Sequence, residues 1–383
     1  MTDLATARQI LDTLIGFDTT SRNSNLALIE WVEAYLARHG VESQRVPNDD
    51  GRKANLFATC GPKVEGGVIL SGHTDVVPVD GQDWSSDPWT VREADGKLFG
   101  RGVADMKGFI ALALAFVPRF VAGRLPVHLA LSYDEEVGCQ GAPAMIARMA
   151  KDIPPPRLAI VGEPSLMGII TGHKGIAVHE VSVRGHAAHS SLVDHGISAN
   201  AVAVGLMHEL LALAEELRAR ADPANGFVPP QATLTIGVME GGTASNILAG
   251  HARFQFDLRC PPGEDAAAIL APFKARCEAL DAELKSRFPD AGVQVEQHAG
   301  TPPMTPQGSE DAVAFVRALT GENSPPGQVA FAAEGGQFQA AGFPTVICGP
   351  GSIEQAHQPD EWIALSELEK GAAFMQRLAE KLS

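Results

Sequence analysis

Cysteine is scarce and unpatterned in this chain. Only Cys60, Cys139, Cys260, Cys277 and Cys348 occur among 383 residues, and no two form a CxxC pair. That excludes both a disulfide framework and a cysteine zinc knuckle, so the five read as buried thiols. Basic residues are also in deficit: 30 Lys and Arg against 46 Asp and Glu leave a net charge of −16. Phosphate contacts require clustered cations, so no nucleic-acid partner and no anionic membrane surface is expected. No apolar run approaches the roughly 20 residues that span a bilayer. The opening "MTDLATARQILDTLIGFDTT" lacks the basic, apolar, small-residue order of a secretion signal. Together these absences point to a cytoplasmic protein.

The apolar residues that are present follow two textures. "DLATARQILDTLIGF" and "NLALIEWVEAYLARHG" carry them at helical spacing, and the second closes on Gly40. Short apolar runs at 66–72, 126–132 and 157–163 predict buried strands, with one buried helix over 104–123 between the first two. From about residue 177 the pattern changes to alternating segments ("AVHEVSVRG", "ATLTIGVMEGG", "HARFQFDLR", "GVQVEQH") and two long helices near 197–220 and 264–286. After residue 300 the first texture resumes, with a helix at "EDAVAFVRALTG", a buried strand in "FPTVICGPG" and a closing amphipathic helix. The expectation is an α/β domain, residues 1–176 and 300–383, with a mixed, mainly parallel sheet covered by helices on both faces. An α+β domain, 177–299, is inserted in it, and its edge strands are free to pair with a second copy.

Four buried runs end on residues of one chemical kind. "VILSGHTD" ends on His73 and Asp75, "HLALSYDEE" on Glu135 and Glu136, and "LAIVGEP" on Glu163, while "TVICGPGSIEQAH" reaches His357. Sites in open α/β sheets form beyond the carboxyl ends of the strands. "FGRGVADMKG" adds Asp105 at the start of the buried helix. Singly, such residues serve as helix caps, solvated turn residues or satisfied polar groups. Collected in one crevice, the carboxylates would repel one another until a cation balanced them, and a metal is the simplest such cation. Nitrogen and carboxylate oxygen without thiolate suit Zn²⁺, with Co²⁺ or Mn²⁺ as substitutes. His73, Asp105, Glu136, Glu163 and His357 are one ligand too many for a single tetrahedral zinc that keeps an open position. With Asp105 bridging, two metals receive three protein ligands each. Asp75, two residues after His73, is placed to accept the second imidazole N–H and fix its tautomer.

The segments "SGHTDVVP", "GRGVADMKG", "DEEVG", "GEP", "GHAAHSS" and "GGTASNI" together resemble the dizinc aminoacylase/carboxypeptidase family nearly end to end. The resemblance implies that His73, Asp105 and Glu163 hold one metal, that Asp105, Glu136 and His357 hold the other, and that Glu135 is the general base. It also implies that the inserted domain is a lid and dimerisation module lending a histidine across a homodimer interface. Counting from Gly185 selects His189 over His186 for that histidine. Asn246 and Arg259 are similar to family positions that bind the substrate's polar groups. The tail "FAAEGGQFQAAGFPTVICGPGSIEQAHQPDEWI" is most similar to members that hydrolyse N2-acetyl-L-ornithine, with members that desuccinylate N-succinyl-diaminopimelate as the alternative.

Amide hydrolysis needs an activated water, a stabilised oxyanion and a proton for the leaving amine. Glu135 is expected to carry the proton and His189 to donate to the oxyanion. For a small N-acyl amino acid substrate, Arg259 and Asn246 would hold the α-carboxylate. Glu334, in a Gly-rich turn, is the expected partner of a δ-ammonium group.

Overall fold

A computed structural model of the chain describes residues 3–383. It divides into two compact units: one runs through His173 and adds Met304–Gln328 and Ala333–Ser383, and the other is Lys174–Pro303 with Val329–Ala332.

The first unit is built on an eight-stranded sheet. Its middle is four neighbouring strands, Val127–Ser132, Val68–His73, Leu158–Pro164 and Thr345–Gly349, each parallel to the next. Antiparallel strands Ala54–Cys60 and Ser43–Pro47 extend one side, and Ile170–His173 and Gly327–Val329 extend the other. Every residue of the four central strands is buried, as expected for unbroken apolar runs covered on both faces. Alternate residues feed two separate cores: Leu70, Leu129 and Ile160 on one side, Ile69, Ala130 and Val161 on the other. Helix Lys107–Ala115 lies so close on the first of these faces that a Cβ at Gly162 would fall 2.1 Å from the Phe109 ring.

The buried helix expected over 104–123 is two, Lys107–Ala115 and Val117–Val121. Pro118 has no N–H to give the Leu114 carbonyl, which accepts the Tyr35 hydroxyl at 3.0 Å. Helices Asp3–Ile15, Leu26–Arg38, Glu310–Thr320 and Leu365–Lys381 stand where helical spacing places them. The stretch around Glu334, expected as a Gly-rich turn, instead opens a short helix, Gly335–Ala340. Helix Ala142–Asp152 was not anticipated from the pattern.

The second unit is a four-stranded antiparallel sheet in the order Thr233–Gly241, His251–Cys260, Gly175–Arg184, Gly292–Thr301. Burial alternates strictly along Gly175–Arg184 and His251–Cys260. One sheet face therefore packs against the helices Ala199–Ala219 and Ala266–Arg287, and the other is open. Among the described residues no helix is long and apolar enough to cross a membrane, and all five cysteines are buried thiols.

Candidate metal centre

The four parallel strands deliver His73, the Glu135–Glu136 turn, Glu163 and the His357 loop to one edge of the first unit's sheet. His73 ends its strand, and its Nδ1 lies 2.9 Å from the backbone carbonyl of Asp75. A carbonyl only accepts, so Nδ1 carries a proton, and Nε2 is the nitrogen that donates to a carboxylate when protonated or offers its lone pair to a metal when neutral. Nε2 faces Asp105 Oδ1 at 3.0 Å and Glu163 Oε1 at 3.9 Å. On the other side of Asp105, Oδ2 lies 3.4 Å from His357 Nε2, which also meets Glu136 Oε2 at 2.9 Å. Asp105 thus stands between two imidazoles with one oxygen toward each.

The adjacent glutamates diverge. Glu136 turns to His357, whereas Glu135 gathers with His73 and Glu163, all three ligand atoms lying within 4.8 Å of one another. His73, Asp105 and Glu136 form a second group at the same spacing. Asp134, which precedes them, has a left-handed φ of 55° and pairs with Lys53. The Glu135 carboxylate also accepts from the Cys139 thiol at 3.2 Å. His357 is itself left-handed, φ 62°, and its side chain is 51% exposed, so this edge of the cluster is open to solvent.

The electrostatics show a cluster short of positive charge. Burial raises Glu135 and Glu163 well above the usual carboxylate range, and the charges of Glu136 and Asp105 add to it at both. Burial and the Asp105 charge bring Glu136 up to about 7. Burial would lower His73, but the Asp105 hydrogen bond and the Glu163 charge win and raise it. Hydrogen bonds donated to Asp105 and Glu136 carry His357 up to about 10. Asp105 is lowered despite its burial, because both imidazoles donate to it. Glu163 Oε1 is buried without a hydrogen-bond partner. Imidazoles drawn toward protonation, glutamates drawn toward neutrality and an orphaned carboxylate oxygen all fit a pair of divalent cations in place of the protons.

Two expectations are corrected. The group that fixes the His73 tautomer is the Asp75 carbonyl; the Asp75 carboxylate is 3.7 Å away at Oδ1. That carboxylate accepts instead from the Ser21 hydroxyl at 2.7 Å and from the backbone N–H groups of Glu135 and Glu136 at 3.2 Å each, so it shapes the turn that bears both glutamates. Glu334 is 1% exposed, accepts from Ser71 at 3.1 Å, and is raised by burial. Its other oxygen, Oε1, is buried without a hydrogen-bond partner, so the carboxylate is packed under the strand ends and not solvated in a turn.

Sequence reasoning missed Glu361. Its buried carboxylate accepts from the backbone N–H of Gly102 (2.8 Å), Ala104 (2.9 Å) and Asp105 (3.1 Å), and from Arg101 Nη1 (2.9 Å). Arg101 also donates to Gln82, whose amide donates to the His357 carbonyl at 3.0 Å. One chain of polar contacts therefore holds the backbones of both Asp105 and His357. Its only trace in the sequence is the acid pair in "HQPDE", which periodicity does not single out.

His189, Asn246 and Arg259 belong to the second unit. His189 Nδ1 accepts from the Ser191 backbone N–H at 3.2 Å, which leaves the proton on Nε2. The Asn246 carbonyl accepts the Ser190 N–H at 2.9 Å, so the His189 and Asn246 loops run side by side. Arg259 Nε pairs with Asp257 at 3.0 Å. The ring of His186 stacks on Phe288, centroids 4.1 Å apart, a packing role.

Parallel strands that bring imidazoles and carboxylates together at one edge mark a metal-dependent hydrolase. Residues 69–381 match the model of peptidase family M20/M25/M40, and the chain belongs to that family. The acetylornithine deacetylase of Proteus mirabilis is 35% identical over 387 residues, covering 97% of this chain and 95% of its own. That of Myxococcus xanthus is 33% identical, covering 98% and 97%. In fold, an M20 family metallo-carboxypeptidase from Sulfolobus solfataricus superposes with a TM-score of 0.76 at 16% identity over 98% of both chains. Human carnosine dipeptidase 1 does so with 0.73 at 18% identity, over 98% of this chain and 97% of its own.

Proposed function

We propose that this hydrolase cleaves the N-acetyl amide of N2-acetyl-L-ornithine to L-ornithine and acetate, a step of arginine biosynthesis in the cytoplasm. The observation that carries the reading is the near-full-length identity, 33–35%, to acetylornithine deacetylases from several bacteria.

His73, Asp105 and Glu163 would hold one divalent metal and Asp105, Glu136 and His357 the other, with zinc the fitting ion and cobalt a substitute. When bound, such a pair supplies Lewis acidity toward water and toward an acyl oxygen. The chain's own residues do the rest. Glu135, held high by burial, is a stronger base than an exposed carboxylate; it takes a proton from water and returns it to the departing nitrogen. His189, with its proton on Nε2, donates to the oxyanion. Arg259, its guanidinium oriented by Asp257, and Asn246 hold the α-carboxylate.

A homodimer in which His189 serves the partner's site accords with the second unit's surface. Its edge strand Thr233–Gly241 exposes Val238 and Met239, and the helix beside it exposes Val204 and Leu211, seven residues apart on one face.

The test is a substrate panel on zinc- and cobalt-loaded enzyme with N2-acetyl-L-ornithine, N-succinyl-diaminopimelate and N-acetyl-norvaline. A kcat/KM for acetylornithine about tenfold or more above both others is expected, the scale of discrimination that a few polar contacts supply. Preference for the succinyl substrate would overturn the assignment.

A further inference from the structure

On the helix-bearing side of the second unit's sheet sits a polar pair that hydrolysis does not use. His179, on strand Gly175–Arg184, is 1% exposed and stacks on Phe256 with centroids 5.3 Å apart and planes 10° from parallel. Neither ring nitrogen reaches a hydrogen-bond partner; the Ala177 carbonyl on the same strand exerts only a weak pull. An orphaned buried polar atom costs roughly 1–3 kcal/mol, so such a ring needs an explanation.

The ring lines a cavity of about 280 Å³ between the strands and helix Ala266–Arg287. Two features open that space. Strand Gly292–Thr301 bulges between Gln297, opposite His179, and Ala299. The first turn of the facing helix offers only the methyl groups of Ala266 and Ala267 before Leu270 adds an apolar wall. Lys274, half-buried one turn on, lines the same cavity and enters no ion pair among the described residues. Asp265 caps the N-terminus of that 22-residue helix, its carboxylate accepting the Ala267 N–H at 2.9 Å. Burial, then the Lys274 charge, pushes His179 down to about 4, so the ring is neutral and offers one N–H donor. Arg259, three residues along from Phe256, projects from the opposite face of the sheet, so this cavity is separate from the groups assigned to the substrate.

We infer that this cavity is a second ligand site, for a small organic carboxylate with a short apolar chain. The carboxylate meets Lys274 and the His179 N–H, and the chain lies on Ala266, Ala267 and Leu270. A lone cation would attract any anion, but the apolar walls select one with hydrocarbon beside its charge.

The experiment titrates isovalerate into the intact metal-loaded protein and follows the His179 ring nitrogens by ¹⁵N NMR. The uncharged isovaleramide and the chain-poor acetate serve as comparison probes. Saturable shifts with isovalerate are expected, at least tenfold weaker with either comparison probe. Lys274→Met and the cavity-filling Ala267→Leu should each weaken isovalerate binding at least tenfold while hydrolysis of the N-acyl substrate is unchanged. His179 signals that stay unmoved at saturating isovalerate, with the cavity holding water alone, would overturn the inference. So would shifts of equal size and affinity in both variants.

Discussion

Glu361 Oε1 accepts the backbone N–H of Asp105 at 3.1 Å, so the residue that stands between the two imidazoles is fixed through its main chain by an acid 256 positions later. Each Glu361 oxygen accepts from backbone donors, and one also takes the buried Arg101 guanidinium. Glu361→Gln keeps the volume but turns an NH₂ toward a donor and removes the charge opposite Arg101. Metal affinity should fall about 10–100-fold, as for other groups that orient ligands. Stability should fall by about 3 kcal/mol, the scale for breaking a buried ion pair. Chelator competition and urea unfolding measure the two, and unaltered metal affinity would show that Asp105 needs no such support.

Glu135→Gln separates proton transfer from metal holding. Loss of a positioned acid or base lowers kcat by about 10²–10⁴, and two metals per chain should remain by elemental analysis. Because Glu135 lies within 4.8 Å of both His73 and Glu163, the alternative has a distinct signature: a variant that drops one metal along with activity would make Glu135 a ligand.

These contacts show what a sequence makes legible. His73, Glu136, Glu163 and His357 stood out because parallel strands gather their ends at one edge, and because imidazole and carboxylate after an apolar run contrast with their surroundings. Glu361 works through backbone amides, which every residue has, so no residue pattern marks its partners. Asp75 misled for a related reason. Its position two residues after His73 was the informative part, but the carbonyl, present whatever the side chain, makes that contact. The carboxylate is engaged by the Glu135–Glu136 turn, a partner 60 residues away. Glu334 was misread because an acid beside two glycines resembles a solvated turn, whereas here it begins a helix under the sheet. Pro118 lies within residues 104–123, yet continuous apolarity concealed the break that its missing N–H imposes.

The dimer reading predicts that Val204→Lys combined with Leu211→Lys yields a monomer by sedimentation, because two like charges would then oppose their copies across an apolar contact. Activity should fall with dimer content if His189 acts in the partner's site. A fully active monomer would remove His189 from that role, and His189→Ala should then leave the rate intact as well.

His128 predicts how the fold responds to acid, away from the metal residues. It is fully buried in the strand Val127–Ser132, with Nδ1 2.9 Å from the Thr59 hydroxyl and Nε2 without a partner. Burial pushes it down to about 4, from an ordinary 6.5. As pH falls below 6.5 the unfolded chain binds a proton that the folded chain refuses. The stability this residue contributes is therefore complete above pH 6.5 and is lost as pH falls toward 4. At pH 5 the loss should be about 2 kcal/mol relative to pH 7.5. His128→Gln keeps a polar contact to Thr59 but does not titrate, so its stability should decline less over the same interval by that amount. Urea midpoints of both proteins at pH 7.5 and 5 give the comparison, with the carboxylates common to both cancelling in the difference. Parallel declines would mean that His128 is protonated in the folded chain, and that its burial is compensated by a contact to Nε2.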